Sequence, residues 1–172
     1  MSGADGWITP EDPVEFRAAL GCFATGLTIV TGAMSDGTRF GLTASSFQAV
    51  SLTPPLVLYS VRKNAASVEF VKGSGLFCIN VLGHEHSDLA HRFAAPVADR
   101  FAGLNWTTGD LGCPVLPDAI ANFECRLWAT YDGGDHVIFV GEVVALRRAV
   151  EGGPLVFFRG EMHSLTPRSA TS

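Results

Sequence analysis

Between Gly41 and Ser67 the chain gathers three hydroxyls, two cations and a helix-start signal: G-L-T-A-S-S-F-Q-A-V-S-L-T-P-P-L-V-L-Y-S-V-R-K-N-A-A-S. Thr43, Ser45 and Ser46 close a β-like run. Pro54 and Pro55 break the chain, and the apolar strand Leu56–Val61 follows. That strand ends in Arg62 and Lys63, beside Asn64, a good N-cap for a short helix with Ser67 at its third position. The N–H groups of a helix start, its dipole and two adjacent cations suit a phosphate. Hydroxyls from the neighbouring strand suit a polyol or the polar edge of a ring. The stretch reads as a cradle for a phosphorylated, partly aromatic ligand. Its ordinary alternative is a strand end rich in Ser and Thr followed by a solvated basic turn.

A second polar group lies at Gly133-Gly134-Asp135-His136. The glycines suit a hairpin turn, and a histidine at a strand's mouth is able to hydrogen-bond an amide or a phosphate. Arg159 and His163 form a similar rim after the last strand. His84, His86 and His91 raise a metal reading, but their spacing lacks the i, i+4 pairing or second ligand cluster that metal sites use, and no metal is expected. There is no G-x-G-x-x-G after a strand, no G-x-x-x-x-G-K-[ST] and no G-x-S-x-G elbow. Rossmann, P-loop and serine-hydrolase chemistry are therefore disfavoured. The cysteines Cys22, Cys78, Cys113 and Cys125 are scattered without C-x-x-C spacing, and three of them sit in apolar company. They read as buried free thiols in a reducing compartment, with Cys113 beside Pro114 the least certain.

The elements that must position these residues are short. Asp12-Pro13-Val14-Glu15 starts a helix carrying Phe16, Leu20 and Phe23 on one face and stopping near Gly26. Leu27–Thr31 is β-branched, and Ser35-Asp36-Gly37 turns the chain into Arg39–Ser46. After Leu56–Val61 come a helix around Ala65–Lys72, a strand Leu76–Leu82 and a helix from about Glu85 to Ala94. Residues 95–118, with three prolines, read as an excursion over the surface. Residues 121–130 alternate with period two, Val137–Arg147 returns antiparallel, and Pro154–Phe158 is the last strand. Many short strands with few helices predict a mainly β fold, a closed or nearly closed antiparallel barrel with peripheral helices.

With 172 residues, 47% hydrophobic and 17% charged, the chain is expected to form one domain over 13–165. Residues 1–12 read as a flexible arm, with Trp7 and Ile8 tacked onto the surface, and residues 166–172 as a disordered tail. The net charge of −5 gives no general attraction to nucleic acid or an anionic membrane, so an anionic ligand must be held by local groups. No apolar run reaches the about 18 residues of a membrane span. The N-terminus lacks the order of a secretion signal. A cytoplasmic protein is expected.

Taken in order, several pieces resemble the flavin reductase family, the short-chain flavin-binding split barrels. They are F-R-A-A-L-G-C-F-A-T-G-L-T-I-V-T (Phe16–Thr31), G-L-T-A-S-S-F-Q-A-V-S-L-T-P-P-L-V (Gly41–Val57) and S-V-R-K-N-A-A-S (Ser60–Ser67). Further along come F-C-I-N-V-L (Phe77–Leu82), L-A-H-R-F-A (Leu89–Ala94), G-D-H-V-I-F-V-G-E-V (Gly134–Val143) and P-L-V-F-F-R-G (Pro154–Gly160). The resemblance implies a six-stranded antiparallel split barrel, a homodimer with flavin near the subunit interface. It implies an enzyme that oxidises NADH or NADPH and releases reduced FMN or FAD to a separate flavin-dependent monooxygenase. Thr43, Ala44, Ser45 and Ser46 would line the ribityl and ring region. Ser60, Val61, Arg62, Lys63 and Ser67 would hold the phosphate end, and Asn80 would border the isoalloxazine. His136 would be the nicotinamide-side residue, with Arg159 and His163 as its neighbours. Relatives often carry Tyr where Phe158 or Met162 stands, so a hydroxyl contact there is missing. Two alternatives stay open: a split barrel that retains FMN and reduces another substrate such as a corrinoid, and a non-catalytic flavin-binding protein.

Overall fold

The computed structural model describes residues 9–165. The tail 166–172, Trp7, Ile8 and most of the expected N-terminal arm lie outside them. In chain order the elements are helix α1 (Pro13–Leu20), strands β1 (Thr25–Gly26), β2 (Thr28–Ala33), β3 (Arg39–Ala44), β4 (Gln48–Leu52) and β5 (Pro55–Arg62), and helix α2 (Ser67–Ser74). Strand β6 (Leu76–Val81), a 3-10 turn (His84–His86) and helix α3 (Ser87–Ala94) follow. The rest is β7 (Thr107–Thr108), β8 (Pro114–Val115), the long strands β9 (Ala121–Gly133) and β10 (His136–Arg148), then β11 (Leu155–Phe158) and β12 (Glu161–Ser164).

The fold is mainly β and its pairings are antiparallel. The main sheet runs β3-β2-β6-β9-β10-β5-β4, with a small sheet β1-β11-β12 and a pair β7-β8 beside it. The main sheet thus has seven strands where six were expected, because Gln48–Leu52 pairs with β5 as a strand of its own. Among the described residues no backbone ladder joins β3 to β4 or β5, so the sheet is not closed by strand pairing.

Period-two alternation splits β2 between two cores. Val30 points into a cluster with Tyr59, Phe77, Ile79 and Phe139. Its neighbour Ile29 points the other way, into a cluster with Phe93, Phe101, Leu116 and Leu155. The second core corrects the reading of 95–118 as a surface excursion. Phe101, Cys113 and Leu116 are buried there, because the outer face of a central strand needs a cover and this segment, with α3, supplies it. Gly41 permits the close approach of α3: a Cβ at that position would lie 2.3 Å from a ring carbon of Phe93.

Two helix boundaries also move. Asp12 caps α1, its Oδ1 accepting from the Val14 N–H at 2.8 Å, and Pro13 opens the helix. The helix ends at Leu20 and not near Gly26, because the N–H groups of Gly21, Cys22 and Phe23 donate back to Arg17, Ala19 and Leu20 in a closing turn. None of its residues is buried, and Phe16, Leu20 and Phe23 are 50%, 59% and 68% exposed. For α2, the cap position falls on Ala66 without a side-chain bond, not on Asn64. The residues 62–65 are spent on a turn, with the Ala65 N–H donating to the Arg62 carbonyl.

Candidate ligand-binding site

The seam between β3 and β5 brings the Ser46 hydroxyl onto Ser60, while Arg62, Lys63, Ser67 and His136 line neither of the two cavities that open beside it. Strand β4 pairs with β5 only as far as Gln48 opposite Leu58. Two residues further along that register Ser46 faces Ser60, but the backbone has already left the sheet. The Ser46 hydroxyl takes the missing strand's place: it accepts from the Ser60 N–H at 2.9 Å and donates to the Ser60 carbonyl at 3.0 Å. Thr43 is likewise committed, donating to the Ala90 carbonyl of α3 at 2.7 Å. Ala44 and Val61 are buried in the first core and offer only backbone. Of the three hydroxyls, Ser45 alone is exposed, and it makes no described side-chain bond.

Ser45 stands where two cavities meet. One, of about 570 Å³, lies between β3, α3 and β12, with Thr43, Ser87, His91 and Met162 on its walls. The other, of about 710 Å³, lies between the end of α1 and the β11–β12 turn, with Arg17, Cys22, Phe23 and Arg159 on its walls. Ser45, Phe157 and Gly160 line both. Each volume falls in the range of small-molecule and cofactor sites. Apolar walls with a few exposed polar groups fit a ring system with a polar edge.

The turn between β11 and β12 is two residues long, with Arg159 at φ 51° and Gly160 at φ 86°. Positive φ at both central residues is the hairpin geometry that matches strand twist, and an arginine in it is uncommon. The Arg159 N–H donates to the Gly21 carbonyl at 2.9 Å, tying the turn to the end of α1. Its guanidinium lies 5.1 Å from the Phe158 ring centroid and 4.0 Å from the Cys22 sulfur. His163 stacks edge-on against the Phe158 ring, with its Nε2 3.9 Å from Glu161, and it lines neither cavity.

The expected phosphate seat is less free than its sequence suggested. The Lys63 ammonium donates to Asp132 at 2.5 Å, and the Lys63 N–H to the Asp135 carbonyl at 3.0 Å. The hydrogen bond from Lys63 and that from the Gly134 N–H hold Asp132 below the usual carboxylate range, and the bond to His136 does the same for Asp135. Two acids thus face Arg62 and Lys63 across the β5–β10 edge, where Arg62 pairs with His136. Ser67 is buried with an unpartnered hydroxyl at the first turn of α2.

His136 opens β10 after a two-residue Gly134–Asp135 turn, in which only Gly134 takes positive φ. Its Nδ1 lies 2.7 Å from the Asp135 carboxylate. A carboxylate only accepts, so Nδ1 carries the proton and Nε2 is left to face a ligand. Asn80, by contrast, leaves the candidate site. It is fully buried, donating to Ile29 and Thr31 and accepting from the Leu116 N–H and Asn122. Its carboxamide has no group left for a ligand, because it joins β2, β6 and β9 to the segment covering the second core.

The cysteine reading is also reordered. Cys78, Cys113 and Cys125 are buried, and Cys22 is the exposed one. Burial raises the buried thiols, Cys113 to about 11 and Cys125 to about 12. His84 sits in the 3-10 turn against Glu85, off the helix that carries His91, so the two do not share a helix face. On the cavity walls, Arg17 and Phe157 were not singled out from the sequence, His91 was weighed only as a metal ligand and Phe23 only as part of a helix face. Only the fold, which sets the end of α1, α3 and the β11–β12 turn around the cavities, reveals their place.

Comparison with known proteins gives a consistent picture. The family described as flavin reductase like domain matches residues 20–166. The reductase subunit of a flavin-dependent monooxygenase from Rhodococcus jostii is 41% identical over 165 residues, covering 95% of this chain and 84% of that protein. An FMN reductase (NADH) from Agrobacterium fabrum is 41% identical over 150 residues, 87% of this chain and 84% of that protein. Among solved structures, a Streptomyces globisporus NADH:FAD oxidoreductase in complex with NAD and FAD fragments superposes with a TM-score of 0.90 at 35% identity, covering 95% of this chain and 98% of that one.

Proposed function

The chain belongs to the flavin reductase like domain family, and we propose that it is an NAD(P)H:flavin oxidoreductase that hands reduced FMN or FAD to a partner flavin-dependent monooxygenase. The observation that carries the reading is the pair of cavities meeting at Ser45, beside an open-ended sheet whose seam is held by Ser46 and Ser60. The relatives reported above, named as a monooxygenase reductase subunit and an NADH-dependent FMN reductase, support it. In the proposal the domain spans 13–165 and the sheet is the family's split barrel, with the Ser46 hydroxyl closing the seam where backbone pairing stops.

When bound, flavin and nicotinamide supply the hydride chemistry between themselves, so the protein needs neither nucleophile nor metal for that step. What this chain contributes is placement. Ser45 offers the free hydroxyl to the ring edge, with Thr43 and Phe157 shaping the wall. Ser60, Arg62, Lys63 and Ser67 hold the phosphate end, with Asp132 as the group a phosphate must displace from Lys63. His136 presents Nε2 to the nicotinamide carboxamide, its ring fixed by Asp135. Arg159 and His163 shape the rim. Moderate affinity, from hydrogen bonds and stacking without a covalent link, suits a flavin that leaves as product.

A homodimer follows from the same reading. The exposed apolar face of α1 is the kind of surface that a second copy covers. No described helix is long and apolar enough to cross a membrane, which suits a protein that works from solution.

The test is NADH and NADPH oxidation by the purified protein with FMN, FAD or no added flavin. Turnover that rises and saturates with free flavin is expected. A protein that is tightly yellow and turns over without added flavin would replace this reading with that of a retained prosthetic group. Bound flavin with no turnover would leave only a binding protein.

A further inference from the structure

The stretch given to the flavin phosphate holds one cation that is already in use. Strand β5 ends at Arg62, and α2 begins at Ser67 without a side-chain cap. The Ser67 hydroxyl in that first turn is buried and has no partner. Among the described residues Arg62 has no carboxylate within ion-pair reach, whereas Lys63 is taken by Asp132. The partner of Lys63 is itself fixed by the β9–β10 turn. One oxygen of the Asp132 carboxylate accepts from the Gly134 N–H at 3.0 Å, and the other accepts from the Lys63 ammonium at 2.5 Å. Gly134 adopts φ 76° in that turn. A third bond, from the Lys63 N–H to the Asp135 carbonyl at 3.0 Å, ties the backbone of the seat to the same turn. The turn therefore holds the carboxylate at the seat independently of the ammonium. Both side chains reach solvent, 45% and 74% exposed, so the ammonium is able to change partners without disturbing the core.

We propose that Asp132 is a built-in competitor for the flavin phosphate, recapturing the Lys63 ammonium when the phosphate leaves and so lowering the affinity for the flavin product. The inference rests on the flavin reductase reading, in which flavin is a ligand that must be released. A lysine ammonium is a point charge on a flexible stem, and it turns readily from one acceptor to another. A phosphate that enters the seat must displace a charged acceptor from Lys63, and it then lies beside that acceptor's negative charge. Both effects weaken a phosphorylated flavin. A flavin without phosphate meets neither. Asp132 acts through Lys63 and needs no contact with the ring. Because the pair is solvated, its competition is modest, enough to hasten release without abolishing binding.

The experiment is equilibrium and stopped-flow binding of FMN and riboflavin, followed by flavin fluorescence without NADH. The proteins are the wild type, Asp132→Asn, Lys63→Gln and the double variant. Asn keeps an oxygen for the Gly134 N–H, so the turn is preserved. Asp132→Asn should bind FMN about threefold to tenfold tighter, chiefly through slower dissociation, with riboflavin unchanged. Lys63→Gln should weaken FMN and spare riboflavin. In that background Asp132→Asn should lose most of its effect, which isolates competition for the ammonium from plain charge repulsion. High salt should shrink the gain. Unchanged or weaker FMN binding by Asp132→Asn, an equal gain for riboflavin, or a full gain without Lys63 would each overturn the competitor. A wild type that binds no flavin at all would overturn the functional reading beneath it, a result distinct from these.

Discussion

Ser46→Ala isolates the contact that closes the seam. The Ser46 hydroxyl is a half-buried group that satisfies both the N–H and the carbonyl of Ser60. Beyond the Gln48–Leu58 pair no strand is present to replace it. Two hydrogen bonds at about 1 kcal/mol each give a loss of about 2 kcal/mol. For a chain of this length that is about 4–8 °C in Tm. Urea unfolding, with flavin titration in parallel, reads both consequences: a lower midpoint at unchanged slope, and weaker flavin binding because the mouth of the cradle is no longer tied to β5. Ser45→Ala is the matched control, since its side chain makes no described bond. It should weaken flavin binding and leave the unfolding midpoint where it was. Ser46→Thr keeps the hydroxyl and should recover most of the stability. If Ser46→Ala unfolds within about 0.5 kcal/mol of the wild type, the hydroxyl does not stand in for the missing strand and the argument fails.

His136→Ala should raise the KM for NADH while FMN affinity, measured separately, stays close to the wild type; equal loss of both would make His136 a turn residue only. A disulfide-exchange reagent should titrate one thiol rapidly in the native protein, Cys22, and all four after unfolding, since Cys78, Cys113 and Cys125 are buried; three fast thiols would contradict the packing of 95–118. Asp132 is held below its unfolded pKa, chiefly by the bond from Lys63, so its stabilising contribution is complete above the unfolded carboxylate value near about 4 and is lost as pH falls through the lowered folded value. The stability difference between wild type and Asp132→Asn should therefore shrink on acidification from about pH 6 to about pH 3, and a difference that grows would reverse the assignment.

Local patterns in the chain already carried much of the architecture. The capped start of α1, the turns at Gly37 and Gly134 and the alternation of 121–130 are decided by neighbours within a few residues, through φ preferences and side-chain periodicity. The ordered pieces from Phe16 to Gly160 were enough to indicate the family. What the sequence misjudged depends on partners distant in the chain. Asn64 fits a helix cap, yet a turn at Arg62–Ala65 tied to the β9–β10 hairpin claims it. Asn80 sits in a family-like strand, but its carboxamide is consumed by Ile29, Thr31, Leu116 and Asn122.

The same division explains the site. Hydroxyls, cations and a histidine at strand ends are legible from residue type, which is why Thr43–Ser46, Arg62–Lys63 and His136 could be named in advance. Whether a hydroxyl is free or spent depends on what faces it: Ser46 is spent on Ser60, Thr43 on Ala90, and Ser45 alone is open. Whether a cation is available depends on its counter-charge, and Lys63 meets Asp132 across 69 residues of chain. Arg17 and Arg159 share a wall only because the β11–β12 turn is pinned to the end of α1. Residue type fixed the repertoire of groups, and tertiary packing decided which of them remain unpaired, because hydrogen bonds and ion pairs are satisfied by proximity in space and not in sequence.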